Sequence, residues 1–224
     1  MAPAEASEID APSSRRGRPV EVQPEQAALL ALRLFDEGGY DAVSMDDVAR
    51  AAGMSRRSLF RYFPRKADLV WSGAAEALTD IRGVLGHAPR EASIIDALRV
   101  AYATALDFRE EQWEATRRRL LLIQGHPSLY DAVRGQLDDQ RELLISFISE
   151  REGLARDSLL VQVMTDAVSA AAFSALVWWA SGDERSPADV VDSALADLQR
   201  MFGSRSGAGA GAPAQGNDGV TRVD

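Results

Sequence analysis

Residues 55–62, SRRSLFRY, crowd three guanidinium groups, three hydroxyls and two aromatic rings into two helical turns. Guanidinium forks donate to phosphate oxygens and guanine edges, and aromatic surface meets thymine methyl groups. Ser55, Arg56, Arg57, Ser58, Phe60, Arg61 and Tyr62 together therefore suit a nucleic-acid surface. An arginine pair alone reads more plainly as a solvated helix face. Here the flanking residues favour the sharper reading: Leu59 and Phe63, four apart, share one helix face as anchors while the arginines point away. The predicted chemistry is recognition rather than turnover. The chain has no cysteine, and its two histidines, His87 and His126, sit near loop signals without a second ligand at metal-binding spacing. No phosphate loop, nucleophile elbow or His-Glu-x-x-His occurs. The expectation is a protein without catalytic residues, cofactor or metal.

A recognition helix has to be held by its neighbours. Ser44 and Asp47 have the capping-box form Ser-x-x-Asp, which starts a helix by occupying its first free amides. Val48, Ala49 and Ala52 form the inner face of that helix. Gly53 can take the left-handed conformation that ends it, and Ser55 can cap the next helix two residues later. Pro64 closes the unit. The pattern is a tight helix-turn-helix.

From Pro24 to Leu69 the sequence resembles the DNA-binding domain of the tetracycline-repressor (TetR) family. The similarity runs through a first helix, AALLALRLFDEGGYDAVSM, and then DDVARAAGMSRRSLFRYFPRKADL. The resemblance implies that Ser44 contacts a phosphate, that Arg56, Arg57 and Ser58 approach the major groove, and that Tyr62 lies on the backbone or a base. It also implies a phosphate-binding role for Lys66, the single lysine beside 24 arginines, at the start of a fourth helix. Phe60 departs from the tyrosine common in the family. A hydroxyl contact to phosphate is lost there, while base or methyl contact is kept.

A net charge of −9 looks wrong for a DNA binder until it is divided along the chain. Residues 15–66 hold ten basic and seven acidic residues, a balance of +3; the remainder holds fifteen and twenty-seven, a balance of −12. An acidic body repels the polyanion everywhere except at the basic end, which orients the encounter. Residues 1–14 read as disordered, and 15–20 as a basic arm in which Arg16 and Arg18 either enter a minor groove or form only a charged tail.

The rest of the chain has helical periodicity and no strand signal, so the fold class is all-α. A three-helix helix-turn-helix domain over 21–66 precedes a connecting helix and linker over 67–89, with one helix expected from Lys66 to Leu85. A helical ligand-binding and dimerisation domain follows over 90–203, and a low-complexity tail over 204–224. Residues 158–181 are apolar almost all round and should be buried on both sides. The longest apolar run, near Ala170–Ala180, reads as too short to span a bilayer, and the expected location is cytoplasmic. With Val191, Leu195, Leu198 and Phe202 of the last helix, the 158–181 helix predicts a homodimeric four-helix interface; an intramolecular core is the alternative.

Trp71, Tyr102, Trp113, Arg117, Leu121, Gln124, Phe147, Phe173, Trp178 and Trp179 are candidate linings of an effector pocket, or ordinary core. The segment RRRLLLIQGHPSL is similar to a subgroup of the family, that of the mycofactocin-system regulator, which binds acyl-CoA-like ligands. Its arginines would then meet an anionic phosphate, or else be solvated. The resulting expectation is a homodimeric repressor of a palindromic DNA operator, released by a small apolar or acyl-CoA-like effector. An activator or constitutive binder of the same fold, and a nonspecific architectural protein, are the alternatives.

Overall fold

Pro24 opens α1 (Pro24–Gly38), where its missing amide is one that a first helical turn leaves unpaired anyway. The computed structural model describes residues 23–129 and 134–203. Among them every regular element is helical: α2 (Met45–Ala51), α3 (Arg56–Tyr62), α4 (Lys66–Val70), α5 (Ala74–Gly86), α6 (Ile94–Ala105), α7 (Trp113–Gly125), α8 (Arg134–Glu152), α9 (Leu159–Ala180) and α10 (Pro187–Gly203). A single 3-10 turn, Glu110–Gln112, leads into α7.

The single helix expected from Lys66 to Leu85 is broken. α4 stops at Val70, and Gly73 adopts φ +91°, a left-handed conformation that a continuous helix forbids. The Ser72-Gly73 pair carried that signal in the sequence. The break also separates two hydrophobic clusters. The first joins α1 to α4 through Leu32, Phe35, Val48, Leu59, Phe63 and Leu69, and it takes in Ile123 and Leu129 from α7 and the turn after it. The second begins at Ile81 and fills the body around Leu98, Leu144, Ile148, Val168, Trp179 and Leu195. Phe173 packs against both.

The stripe assigned to a dimer interface belongs instead to this core. Val191 and Leu195 are fully buried within the chain and Leu198 packs on the same cluster, because α10 lies across α6 and α9. A forked pair fixes that crossing: Arg99 Nε and Nη2 donate to the two Asp192 oxygens at 2.7 and 2.9 Å. The side chain of Phe202 lies outside the described residues.

α9 is buried on one side, not both. Val161, Thr165, Val168, Ala172, Ala175 and Trp179 face inward at three- and four-residue steps. Leu159 (80% exposed), Leu160, Val163 and Trp178 (58%) stay open. α9 is 22 residues long and its most apolar 18-residue stretch has a mean hydropathy of 1.6, which suffices for a bilayer span by length and composition alone. In this fold α9 packs on α7, α8 and α10.

Truncating a fully buried leucine removes packing atoms and leaves a cavity. Leu195→Ala should therefore lower the unfolding free energy by about 2–5 kcal/mol in urea titrations. Wild-type stability would place this stripe outside the core.

Candidate nucleic-acid interface

Each part of the expected helix-turn-helix forms. The Ser44 amide donates to Asp47 Oδ2 at 3.0 Å and the Asp47 amide donates back to Ser44 Oγ at 3.2 Å, completing the capping box. The Ser44 hydroxyl donates to Asp47 Oδ2 at 2.6 Å, and this bond, followed by those from the Ser44 amide and Arg50, holds the Asp47 carboxyl below its ordinary pKa. The hydroxyl expected to meet a phosphate thus has a structural task already. Gly53 sits at φ +64°, which lets the Met54 amide turn back to the Ala49 carbonyl at 2.9 Å. Ser55 then caps α3 by accepting from the Ser58 amide at 3.0 Å.

With Leu59 and Phe63 buried on α1 and α2, the opposite side of α3 is turned outward. Arg56 lies 3.2 Å from Asp46 and 5.3 Å over the Phe60 ring. Both partners of the ion pair are well solvated, so exchanging Asp46 for a phosphate costs little. Arg57 is exposed and makes no hydrogen bond or ion pair with the described residues. Arg61 lies 4.7 Å over the Tyr62 ring and donates to its hydroxyl at 2.8 Å, and Tyr62 remains 41% exposed. The result is a surface of three cations and two rings on a short rigid rod. Arg16 and Arg18 lie outside the described residues.

Lys66 is placed otherwise than expected. Its ammonium donates to the Tyr40 carbonyl and lies 4.3 Å over the Tyr40 ring and 5.1 Å over the Phe35 ring. Partial burial pushes its pKa down. The lysine braces α4 against the end of α1 rather than projecting toward solvent.

Of the residues assigned to an effector pocket, Tyr102, Trp113, Phe147, Phe173 and Trp179 share the body cluster, while Trp71, Leu121 and Gln124 lie elsewhere. Tyr102 and Phe147 are buried in the body, with Gln140 Nε2 donating to the Tyr102 hydroxyl at 3.2 Å. Trp71 joins the first cluster and donates to the Leu129 carbonyl at 3.1 Å. Trp113 meets Trp179 edge-on at 5.8 Å. Leu121 and Gln124 are exposed. Arg117, expected to face an anion or solvent, donates to the carbonyls of Trp179 and Asp183 and lies 4.1 Å over the Trp179 ring. Trp178 lines a surface groove of about 440 Å³ with Ser181–Arg185. A larger, almost wholly apolar groove of about 530 Å³, between the end of α5 and α6, contains none of the assigned residues; His87, Pro89 and Val100 help form it. Pattern alone identifies which residues are apolar, not which of them surround empty space.

Residues 30–71 match the profile described as bacterial regulatory proteins of the tetR family, and residues 92–203, half of the chain, match the one described as the MftR C-terminal domain. The chain belongs to the TetR family. It is 29% identical over 182 residues to a Mycobacterium tuberculosis protein named for transcriptional regulation of mycofactocin biosynthesis, MftR, covering 81% of this chain and 92% of the relative. In fold it is similar to the ketosteroid transcriptional regulator KstR2 of M. tuberculosis, with a TM-score of 0.54 at 18% identity over 81% of this chain and 95% of that one. A transcriptional regulator from Aquifex aeolicus gives a TM-score of 0.52 at 13% identity, covering 80% of this chain and all of that one. As a TetR-family member the protein is a DNA-binding transcriptional regulator, and its relatives are regulators rather than enzymes.

Removing the Lys66 ammonium should loosen the reading head. Lys66→Met is expected to lower thermal stability by about 1–3 kcal/mol, since it deletes a charged hydrogen bond and two cation–ring contacts. The slope of log affinity for DNA against log salt should stay at its wild-type value. A slope smaller by about one unit would make Lys66 a phosphate contact after all.

Proposed function

We propose that the protein is a ligand-responsive repressor acting as a homodimer on a palindromic operator, released by a small apolar effector. The observation that carries this reading is the outward face of α3, where Arg56, Arg57, Arg61 and Tyr62 stand opposite the anchors Leu59 and Phe63. A single seven-residue helix reads only a few base pairs, so useful specificity calls for two copies on successive major grooves. The open stripe of α9, with Leu160, Val163 and Trp178, supports α9 as the dimer face and replaces the α10 stripe in that role. Such a stripe is apolar enough to be covered by its symmetry mate.

The effector reading is supported by the apolar body and by the groove beside α6. Arg117, Arg118 and Arg119 are engaged within the chain. An acyl-CoA-like effector would therefore bring its phosphates elsewhere, and an uncharged apolar molecule fits these surroundings better. Binding relieves repression if the effector favours a conformation whose reading heads no longer match the operator spacing.

The test uses DNA selected from a random library by the full chain. Replacing Arg56 and Arg57 with alanine should weaken binding to the selected site by more than about 2 kcal/mol, roughly thirtyfold, with dimer mass and helicity unchanged. Wild-type preference for the site over bulk DNA should reach about 10³-fold. Equal affinity of variant and wild type in gel-shift titrations would remove α3 from the interface.

A further inference from the structure

Three consecutive residues of α7 point to three different elements, because successive side chains on a helix are rotated by about 100°. Arg117 reaches the far end of α9, donating to the Trp179 carbonyl and, at 2.5 Å, to the Asp183 carbonyl. The Trp179 carbonyl also accepts the Gly182 and Asp183 amides, at 3.2 and 3.1 Å, so Arg117 shares its acceptors with the turn that ends α9. Arg118 Nε lies 3.3 Å from Asp36 in the last turn of α1, and Arg118 Nη2 lies 2.9 Å from Glu114. Arg119 Nε donates to the Val70 carbonyl, the last residue of α4, at 2.7 Å. The next residue, Trp71, is tied to the Leu129 carbonyl just beyond α7. The His126 ring lies 5.1 Å from that of Tyr40, tilted by 58°, while Ile123 and Leu129 are buried in the first cluster.

The turn held by Arg117 is also the exposed end of the open α9 face. Trp178 lies beside the buried Trp179, whose indole donates to the Arg185 carbonyl at 2.9 Å. Arg185 covers Trp178 from outside at 5.5 Å and pairs with Asp183 at 3.0 Å. The same short turn therefore carries a solvent-facing tryptophan and the two acceptors that anchor α7.

We infer that α7 is a strut that reports the order of the Trp178–Arg185 turn to α1 and α4. A second copy covering Trp178 fixes the Trp179 and Asp183 carbonyls, hence Arg117, hence the seat of the reading head through Arg118 and Arg119. Assembly then raises DNA affinity by more than the presence of a second head, and DNA binding favours assembly by the same factor. The choice of a second copy as the covering partner rests on the dimeric reading above; the strut does not.

Hydrogen exchange of the full chain, without DNA or effector, tests it. Arg117→Gln should speed exchange by about tenfold or more in residues 67–71 and 126–129 as well as in 178–185, with α6 unchanged. Arg117→Lys should behave like the glutamine variant, since an ammonium cannot bridge two carbonyls as a planar fork does. Acceleration confined to 178–185, or full remote protection in the lysine variant, would overturn the inference. Trp178→Ser, at an exposed position, supplies a second reading should the Arg117 variants not fold. It should abolish the dependence of 67–71 protection on protein concentration, and persistence of that dependence would equally refute the strut. A wild-type protein that binds no selected DNA would defeat the functional proposal while leaving these exchange results meaningful.

Discussion

A seven-residue helix is not stable alone, and the whole N-terminal half is organised around holding one in place. α3 turns Leu59 inward and its C-cap residue, Phe63, follows, both buried in the cluster formed with α1, α2 and α4. Caps at Ser44 and Ser55 and the left-handed Gly53 fix the angle between α2 and α3 through contacts that are local in sequence. The outward arginines gain rigidity from that inner face. An arginine on a helix free to rotate would lose much of its binding energy to ordering.

The same core is closed from behind by Ile123 and Leu129, so the reading head is not an independent bead on a linker. α7 therefore belongs to both halves. Its guanidinium groups are spent on carbonyls and two carboxylates inside the chain, and this is why they differ in kind from Arg57 and Arg61 on the surface. Lys66 is a counterpart on a smaller scale: its ammonium lies over two rings and donates to a carbonyl inside the chain.

The local architecture was legible because its signals lie within four residues of one another. The capping box, Gly53, the Ser55 cap and the Leu59/Phe63 pair needed no partner beyond the next turn. The all-α fold followed from periodicity, and the span of α9 from its nearly continuous apolar composition. What escaped depends on partners distant in sequence. An apolar stripe such as Val191–Leu195–Leu198 says that a face is buried, not whether its own chain or another covers it. The directions of Arg117, Arg118 and Arg119 depend on where α9, α1 and α4 come to rest. Lys66 was expected at a phosphate because its neighbours resemble a family motif, yet the ring faces that hold it come from residues 26 and 31 positions earlier. The break at Gly73 was visible as a Ser-Gly pair but was outweighed by the apolar periodicity on either side.

The central claim is that α3, presented twice by a symmetric dimer, enters two successive major grooves. Hydroxyl-radical footprinting of the full chain on its selected site measures this directly. The account predicts a two-fold symmetric pattern with protections on one face of the duplex and centres about one helical turn or a whole multiple apart, near 34 Å per turn. A single protected patch without symmetry, or uniform protection along the duplex, would contradict it.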